Sequence, residues 1–319
     1  MLYKYKTGLL FSGRLNPKDP KPPYKGKAWR ATIETFKRKS SLLKGQKEII
    51  ISAKSRETAQ RTLNLILASN YLFDGDPPLF SVDLVAFRER DLKNFDKNER
   101  LLVESKSFGT IRFPIACAIA AKASFRSSLV YAILKYNFSI SLYSVCLVDL
   151  DPSHSASYIP ISIYPSDHIR FCHCIISAYS VLEDLGLEVR ASEKQPSFIN
   201  GKWNLVVKNE LEKRLKNAGI DLNETYCWTM RGLRKRLIEI EGPPHILKKE
   251  SWAYGDVRDS EMEVIDAIAH VSWLRSYVSS HKTKDVTKVL SPYDVINSQH
   301  LARRLLLEKL GFWRYYDKY

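Results

Sequence analysis

From Pro114 to Tyr136 the chain carries no internal glycine or proline and is rich in alanine, as a long, closely packed helix requires. One such helix cannot cover its own apolar surface, and the residues after it supply further helical segments. Ser166 and Asp167 mark a helix start before Ile169–Leu185, and Gly186 offers an end. Phe198 to Gly201 reads as a loop, followed by a helix from about Trp203 to Asn217. Pro243-Pro244 breaks the chain, and two last helices are expected over Arg258–Ser279 and Pro292–Leu310. The final one has the clearest ends: Ser291 at the N-cap, Pro292 at N1, Asp294 at N3 and Gly311 just past the terminus. Ile140 to Val148 alternates enough to be strand or continued helix, and the pattern does not choose.

The residues before about Phe108 follow a different grammar, so the chain divides into an N-terminal α+β domain, residues 1–108, and a mainly α domain, residues 109–319. A loop rich in proline and lysine, Asn16-Pro-Lys-Asp-Pro-Lys-Pro-Pro23, is expected to be extended or irregular. Glu48 to Ala53 reads as a buried strand, and Ser55 as the N-cap of a helix over Arg56–Tyr71 that ends in the turn Asp74-Gly-Asp-Pro-Pro. Leu79 to Phe87 is a further strand candidate, and Arg88 to Glu104 a charged connector with some helix. No catalytic motif or phosphate loop occurs here, which leaves an accessory or recognition role as the modest inference for this domain.

Charge narrows the partners. The chain has 50 basic and 35 acidic residues, a net +15 that favours a polyanion. Between Met1 and Lys47, thirteen basic residues face only Asp19 and Glu34, so +11 of the total lies in that stretch. Such concentration suits phosphate contacts at Lys37, Arg38 and Lys39, with Tyr24 and Trp29 as stacking rings; a solvated basic arm fits equally well. The longest apolar run, Phe113–Ala121, is far short of the roughly 20 residues that a bilayer span needs, and the start of the chain lacks the apolar segment of a secretory signal. Five cysteines, mostly in apolar stretches, read as reduced core thiols; together these features predict a cytoplasmic protein without a membrane segment.

Two charged residues stand on apolar helix faces. Spaced at about 100° per residue, Val264, Ile268, Val271, Arg275 and Val278 share one stripe. Ile169, Cys172, Ile176 and Tyr179 share another with Glu183. A guanidinium facing inward demands a carboxylate, several hydrogen-bond acceptors or an anionic ligand. Glu183 and Arg275 are therefore expected to meet, either as a structural ion pair or as a pair that orients the guanidinium towards a phosphate. His281 follows six residues after Arg275, and Lys282 and Lys284 come next. Histidine moves a proton near neutral pH and arginine stabilises phosphate charge, which are the minimum needs of metal-independent RNA cleavage by the adjacent 2′-hydroxyl. On an ideal helix the two side chains would point roughly 120° apart, so convergence needs a frayed helix end or a second subunit.

With Ala267-Ile-Ala-His-Val-Ser-Trp-Leu-Arg275-Ser-Tyr-Val-Ser-Ser-His281, then Leu290-Ser-Pro-Tyr-Asp-Val and the helix through Leu301 to Gly311, this half resembles the HEPN (higher eukaryotes and prokaryotes nucleotide-binding) superfamily. That resemblance covers roughly Ile111 to Phe312 and implies a HEPN-like helical bundle with an Arg-x4-6-His ribonuclease motif. Glu183, in Ser180-Val-Leu-Glu-Asp-Leu, resembles the acidic residue that many members carry on an earlier helix. Ser276 departs from the polar amide or acid that often follows the arginine. What the resemblance implies is Arg275 on the scissile phosphate, His281 as acid or base, Ser276 and Tyr277 as secondary candidates, and a homodimer that pairs two motifs. It also implies a role in prokaryotic defence or as a toxin, with an antitoxin or sensor as partner.

Other features weigh less. Cys172-His-Cys174 lacks a second pair at zinc spacing, so core packing is expected and no metal or other cofactor is. Arg231-Gly-Leu-Arg234-Lys235-Arg236 is either an exposed helix face or part of an RNA path. His270 is an alternative acid or base, and most tryptophans should be core or interface rings. The expected activity is metal-independent endoribonuclease; the alternative is a noncatalytic nucleic-acid-binding or partner-binding HEPN-like protein.

Overall fold

A computed structural model of the chain describes residues 2–11, 16–35, 47–75, 112–142, 165–200, 202–231, 257–278 and 290–315. Among these residues the fold is mainly α, with seven α-helices, one four-stranded sheet and two small hairpins. Two compact units divide the chain, residues 1–134 with 310–319, and residues 135–309. The expected domain boundary at 108/109 lies outside the described residues, as do the 79–87 strand, the 88–104 connector and the break at 243–244.

In the first unit, β1 (Tyr3–Phe11), β2 (Tyr24–Lys25), β3 (Trp29–Thr35) and β4 (Lys47–Ala53) form an antiparallel sheet of order β1-β4-β3-β2. β4 is central because Glu48-Ile-Ile-Ile-Ser-Ala combines β-branched residues with burial, as its composition suggests. The strands on either side of it lie in the stretch read as a basic arm, and their alternation sorts the side chains. Trp29, Ala31, Ile49, Ile51, Ala53 and Tyr5 turn inward and are buried, each large one contributing about 1.5–3 kcal/mol. Tyr24, opposite Ala31, is buried with them and donates its hydroxyl to the Pro20 carbonyl at 2.7 Å. Tyr24 and Trp29 are thus core rings and do not offer the stacking faces expected of them. The proline-rich segment from Asn16 to Pro23 is irregular, as expected.

Helix α1 (Arg56–Asp74) packs on this sheet. Ser55 caps it by accepting the Thr58 N–H, and Gly75 ends it at φ +77°, where a side chain would be strained. The single helix expected over Pro114–Tyr136 is two: α2 (Phe113–Ala123) and α3 (Ser127–Leu142). Ser124 makes the break. Its hydroxyl donates to the Ala121 carbonyl at 2.7 Å and accepts the Lys27 N–H at 2.9 Å, so local side-chain bonding competes with helix continuation. Helical propensity alone does not register that competition.

In the second unit, the part of α3 beyond Lys135 meets α4 (Pro165–Leu185) through buried hydroxyls. Ser139 donates to the Cys174 carbonyl at 2.9 Å and accepts from Gln299, while Ser177 donates to the Lys135 carbonyl. Gly186, at φ +71°, ends α4 where the sequence placed the end, with the Leu187 N–H reaching back to Leu182. The expected loop at 198–201 is a hairpin of β5 (Phe198–Ile199) and β6 (Lys202–Trp203), so Trp203 precedes α5 (Leu205–Ala218) and is not part of it. Asn204 caps that helix.

The helix expected from Arg258 begins later. Residues Val257–Glu263 form β8, paired with β7 (Thr225–Arg231), and α6 runs Val264–Trp273 before a π-helical turn, Leu274–Val278. Pairing explains the change: Met262 stands opposite Tyr226 and both are buried, a period-two arrangement that a helix would break. Arg231 therefore ends a strand and does not sit on a helix face. α7 (Pro292–Leu310) matches the expected bounds, and Asp294 accepts from both the Ser291 N–H (2.7 Å) and the Ser291 hydroxyl (2.8 Å). Gly311 follows at φ +75°.

Candidate functional site

Helices α4 and α6 bring the two charged positions together. Val264, Ile268 and Val271 are fully buried along the inward stripe of α6, and Arg275 is the next position on that stripe. Arg275 lies within the π-helical turn, whose wider i→i+5 bonding often marks functional positions. On α4, Cys172 and Tyr179 are buried, Ile176 is partly so, and Ile169 is 57% exposed, so the stripe emerges into solvent at its start. Glu183 lies one turn beyond Tyr179.

Arg275 Nη2 stands 3.5 Å from Glu183 Oε1, with the side chains 43% and 38% exposed. The expected meeting is observed, but the burial is not: the pair is half-exposed at the rim of the helix interface. The guanidinium carbon also lies 5.7 Å from the centre of the Tyr179 ring, within cation–π range. Tyr179 is itself fixed. Its hydroxyl donates to Ser272 Oγ at 3.2 Å and accepts the Val189 N–H at 3.3 Å. Burial holds the phenol above its ordinary pKa, with Glu183 and Glu188 adding in the same direction and the two hydrogen bonds opposing, so the group remains a neutral donor.

The backbone carrying Val189 is held in turn by Arg214 of α5. Its guanidinium donates to the Gly186 carbonyl at 2.6 Å and to the Glu188 carbonyl at 2.8 Å, with Glu188 and Glu210 carboxylates 3.7 Å away. Burial, with Arg190 nearby, lowers the Arg214 pKa, yet a guanidinium stays charged under any ordinary condition. Arg214 thus acts as a clamp on the turn after α4. Nothing in the sequence flags it, since its helix reads as an ordinary charged one. Ser272, three residues before Arg275, carries no sequence signal of its role either.

Ser276 is half-buried in the π-helical turn, and the backbone of Tyr277 belongs to the same turn. His281, Lys282 and Lys284 lie outside the described residues, as do Lys37, Arg38, Lys39, Arg234, Lys235 and Arg236. The alternative acid or base, His270, has a structural occupation. It is buried at 4% exposure, its Nδ1 accepts the Trp228 indole N–H at 3.0 Å, and its ring stacks on Trp273. The ring proton therefore belongs on Nε2, and the lone pair that a base would use is taken.

Cys117, Cys172 and Cys174 are buried, and burial pushes the Cys117 thiol far up. Cys227, by contrast, is exposed on β7. Cys146 lies outside the described residues. Among the described residues no group of three or more metal-ligating side chains converges, and no helix is long and apolar enough to cross a membrane. What remains chemically is a guanidinium oriented by a carboxylate on one side and an aromatic face on another, half-open to water: an arrangement suited to an anion. Compared with protein-family models, with curated proteins and with solved structures, the chain matches none.

Proposed function

We propose that the chain is a metal-independent endoribonuclease with a HEPN-like helical domain, working as a cytoplasmic homodimer in prokaryotic defence or as a toxin. The observation that carries this reading is the half-exposed Arg275–Glu183 pair on the π-helical turn. A pair built only for stability gains little where water screens it, whereas a ligand-binding guanidinium needs both orientation and access. Arg275 would hold the scissile phosphate and stabilise the charge that develops on its oxygens. His281 would take the 2′-hydroxyl proton or return one to the leaving 5′-oxygen, giving a 2′,3′-cyclic phosphate and a 5′-hydroxyl. Glu183 keeps the guanidinium in place and does not touch the substrate.

The test is cleavage of labelled single-stranded RNAs and tRNA in EDTA by the full chain, compared with His281→Ala and Arg275→Ala, with folding checked by circular dichroism. Cyclic-phosphate ends that vanish in both variants support the reading. RNA binding without cleavage that depends on His281 supports the noncatalytic alternative instead.

A further inference from the structure

The outer face of the N-terminal sheet carries an unusual line of charge. Lys4 of β1 stands directly opposite Ser52 of β4, Ser52 directly opposite Arg30 of β3, and Arg30 directly opposite Lys25 of β2. Residues opposite each other in antiparallel strands share a face, so Lys4, Ser52, Arg30 and Lys25 form one row across all four strands. Neighbouring strands lie about 4.8 Å apart, which makes the row roughly 14 Å long. Lys4, Arg30 and Lys25 are exposed, and among the described residues none of the three has a salt-bridge partner. Lys6, one row further along β1, adds a fourth, half-buried cation on the same face. Tyr24 and Trp29, adjacent in sequence to Lys25 and Arg30, are turned to the opposite face.

Like charges directly opposite each other destabilise a sheet, so Lys25 and Arg30 work against folding. A line of cations at strand spacing, with only a small hydroxyl residue between them and no aromatic ring among them, matches a chain of phosphates better than it matches bases. We propose that this row binds the phosphate backbone of a single-stranded RNA, independently of its sequence. The identity of the polymer as RNA rests on the nuclease reading above; the row itself does not.

The test is binding of a fluorescein-labelled 2′-O-methyl RNA of about 15 nucleotides to the full chain, followed by anisotropy from 50 to 200 mM salt in EDTA. The 2′-O-methyl group blocks attack by the 2′-oxygen, so binding is read without cleavage. A single strand releases about 0.7 counterion per phosphate contact, so Lys4→Gln/Arg30→Gln/Lys25→Gln should make the slope of log K against log salt shallower by about 2. Over that fourfold rise in salt, wild type should then lose roughly 20-fold more affinity than the variant.

Lys202→Gln/Lys213→Gln/Lys216→Gln removes the same charge from exposed positions elsewhere and should leave the slope close to wild type. Lys25→Gln alone should lower the slope magnitude by about 0.7, which keeps the test sound should the triple variant fold poorly. An unchanged slope in the row variants, an equal change in the control, or no binding by wild type at low salt overturns the proposal. Row-dependent binding by a chain that cleaves no RNA upholds the row and removes the nuclease reading alone.

Discussion

Whether Arg275 is held for stability or for a ligand can be decided by a double-mutant cycle with Glu183→Gln and Arg275→Gln. At 3.5 Å, with side chains 43% and 38% exposed, the pair has the geometry of an ion contact but keeps much of its hydration. Couplings measured for such exposed pairs are about 0.2–1 kcal/mol, because solvent screening and lost side-chain entropy offset the Coulomb gain. Packing of the guanidinium on Tyr179 at 5.7 Å adds about 0.5–1 kcal/mol to the Arg275 single variant, and leaves the coupling unchanged. The expected cycle, from urea denaturation of the full chain, is therefore a coupling under about 1 kcal/mol that shrinks further as salt shortens the Debye length. Arg275→Gln should cost at most about 2 kcal/mol of stability, and on the proposed nuclease reading it should abolish cleavage. A coupling above about 3 kcal/mol, insensitive to salt, would refute the reasoning: that size belongs to a desolvated pair serving the fold.

Two other groups have readable consequences. His300 is half-buried beside Arg303, and burial first, then that charge, lowers its pKa from 6.5 to about 4. Between those values the unfolded chain binds more protons than the folded one, so stability complete above pH 6.5 should fall as pH drops and level off below 4. The loss is up to about 3 kcal/mol, and His300→Gln should flatten that part of the denaturation profile; an equally steep profile in the variant would assign the loss elsewhere. Arg304, 5% exposed, donates to Glu308 and the Thr225 carbonyl, pairs with Glu224, and lies 3.9 Å from the Tyr226 ring centre. Arg304→Ala strands these partners and should cost about 3–5 kcal/mol, whereas Arg304→Met with Glu224→Gln should recover much of it; an Arg304→Ala midpoint close to wild type would contradict the buried network.

The parts of this fold that were legible in the sequence are those decided within a few residues. Ser55, Ser291 with Asp294, Gly186 and Gly311 mark helix ends because capping and left-handed turns are local chemistry. The Glu183–Arg275 meeting was legible too, since each charge broke an apolar stripe of its own helix. What was illegible depends on partners distant in sequence. β8 is a strand because β7, some thirty residues earlier, supplies the ladder, and helical periodicity at 258–263 carries no trace of that partner. At the Ser124 break, the hydroxyl that bonds back to Ala121 also accepts the N–H of Lys27, a partner 97 residues away. Tyr24 and Trp29 lie in a basic stretch, but pairing of β2 and β3 turns their rings into the core. Arg214 and Ser272 act by holding other residues, and no pattern distinguishes such a role from an ordinary polar position.

The hairpin of β7 and β8 has only two strands, and a two-stranded sheet normally leaves ladder groups open to a passing chain. Asn297, 4% exposed on α7, accepts the Thr229 N–H at 3.3 Å and donates its amide to the Thr229 carbonyl at 2.7 Å. A side-chain amide here imitates one residue of a neighbouring strand, occupying both backbone groups of Thr229 within β7. No incoming strand can pair in register through Thr229 without first evicting it. The same two hydrogen bonds that fasten helix to hairpin therefore block strand addition at this edge of β7, by a polar residue in place of the charges and prolines that usually blunt an exposed edge.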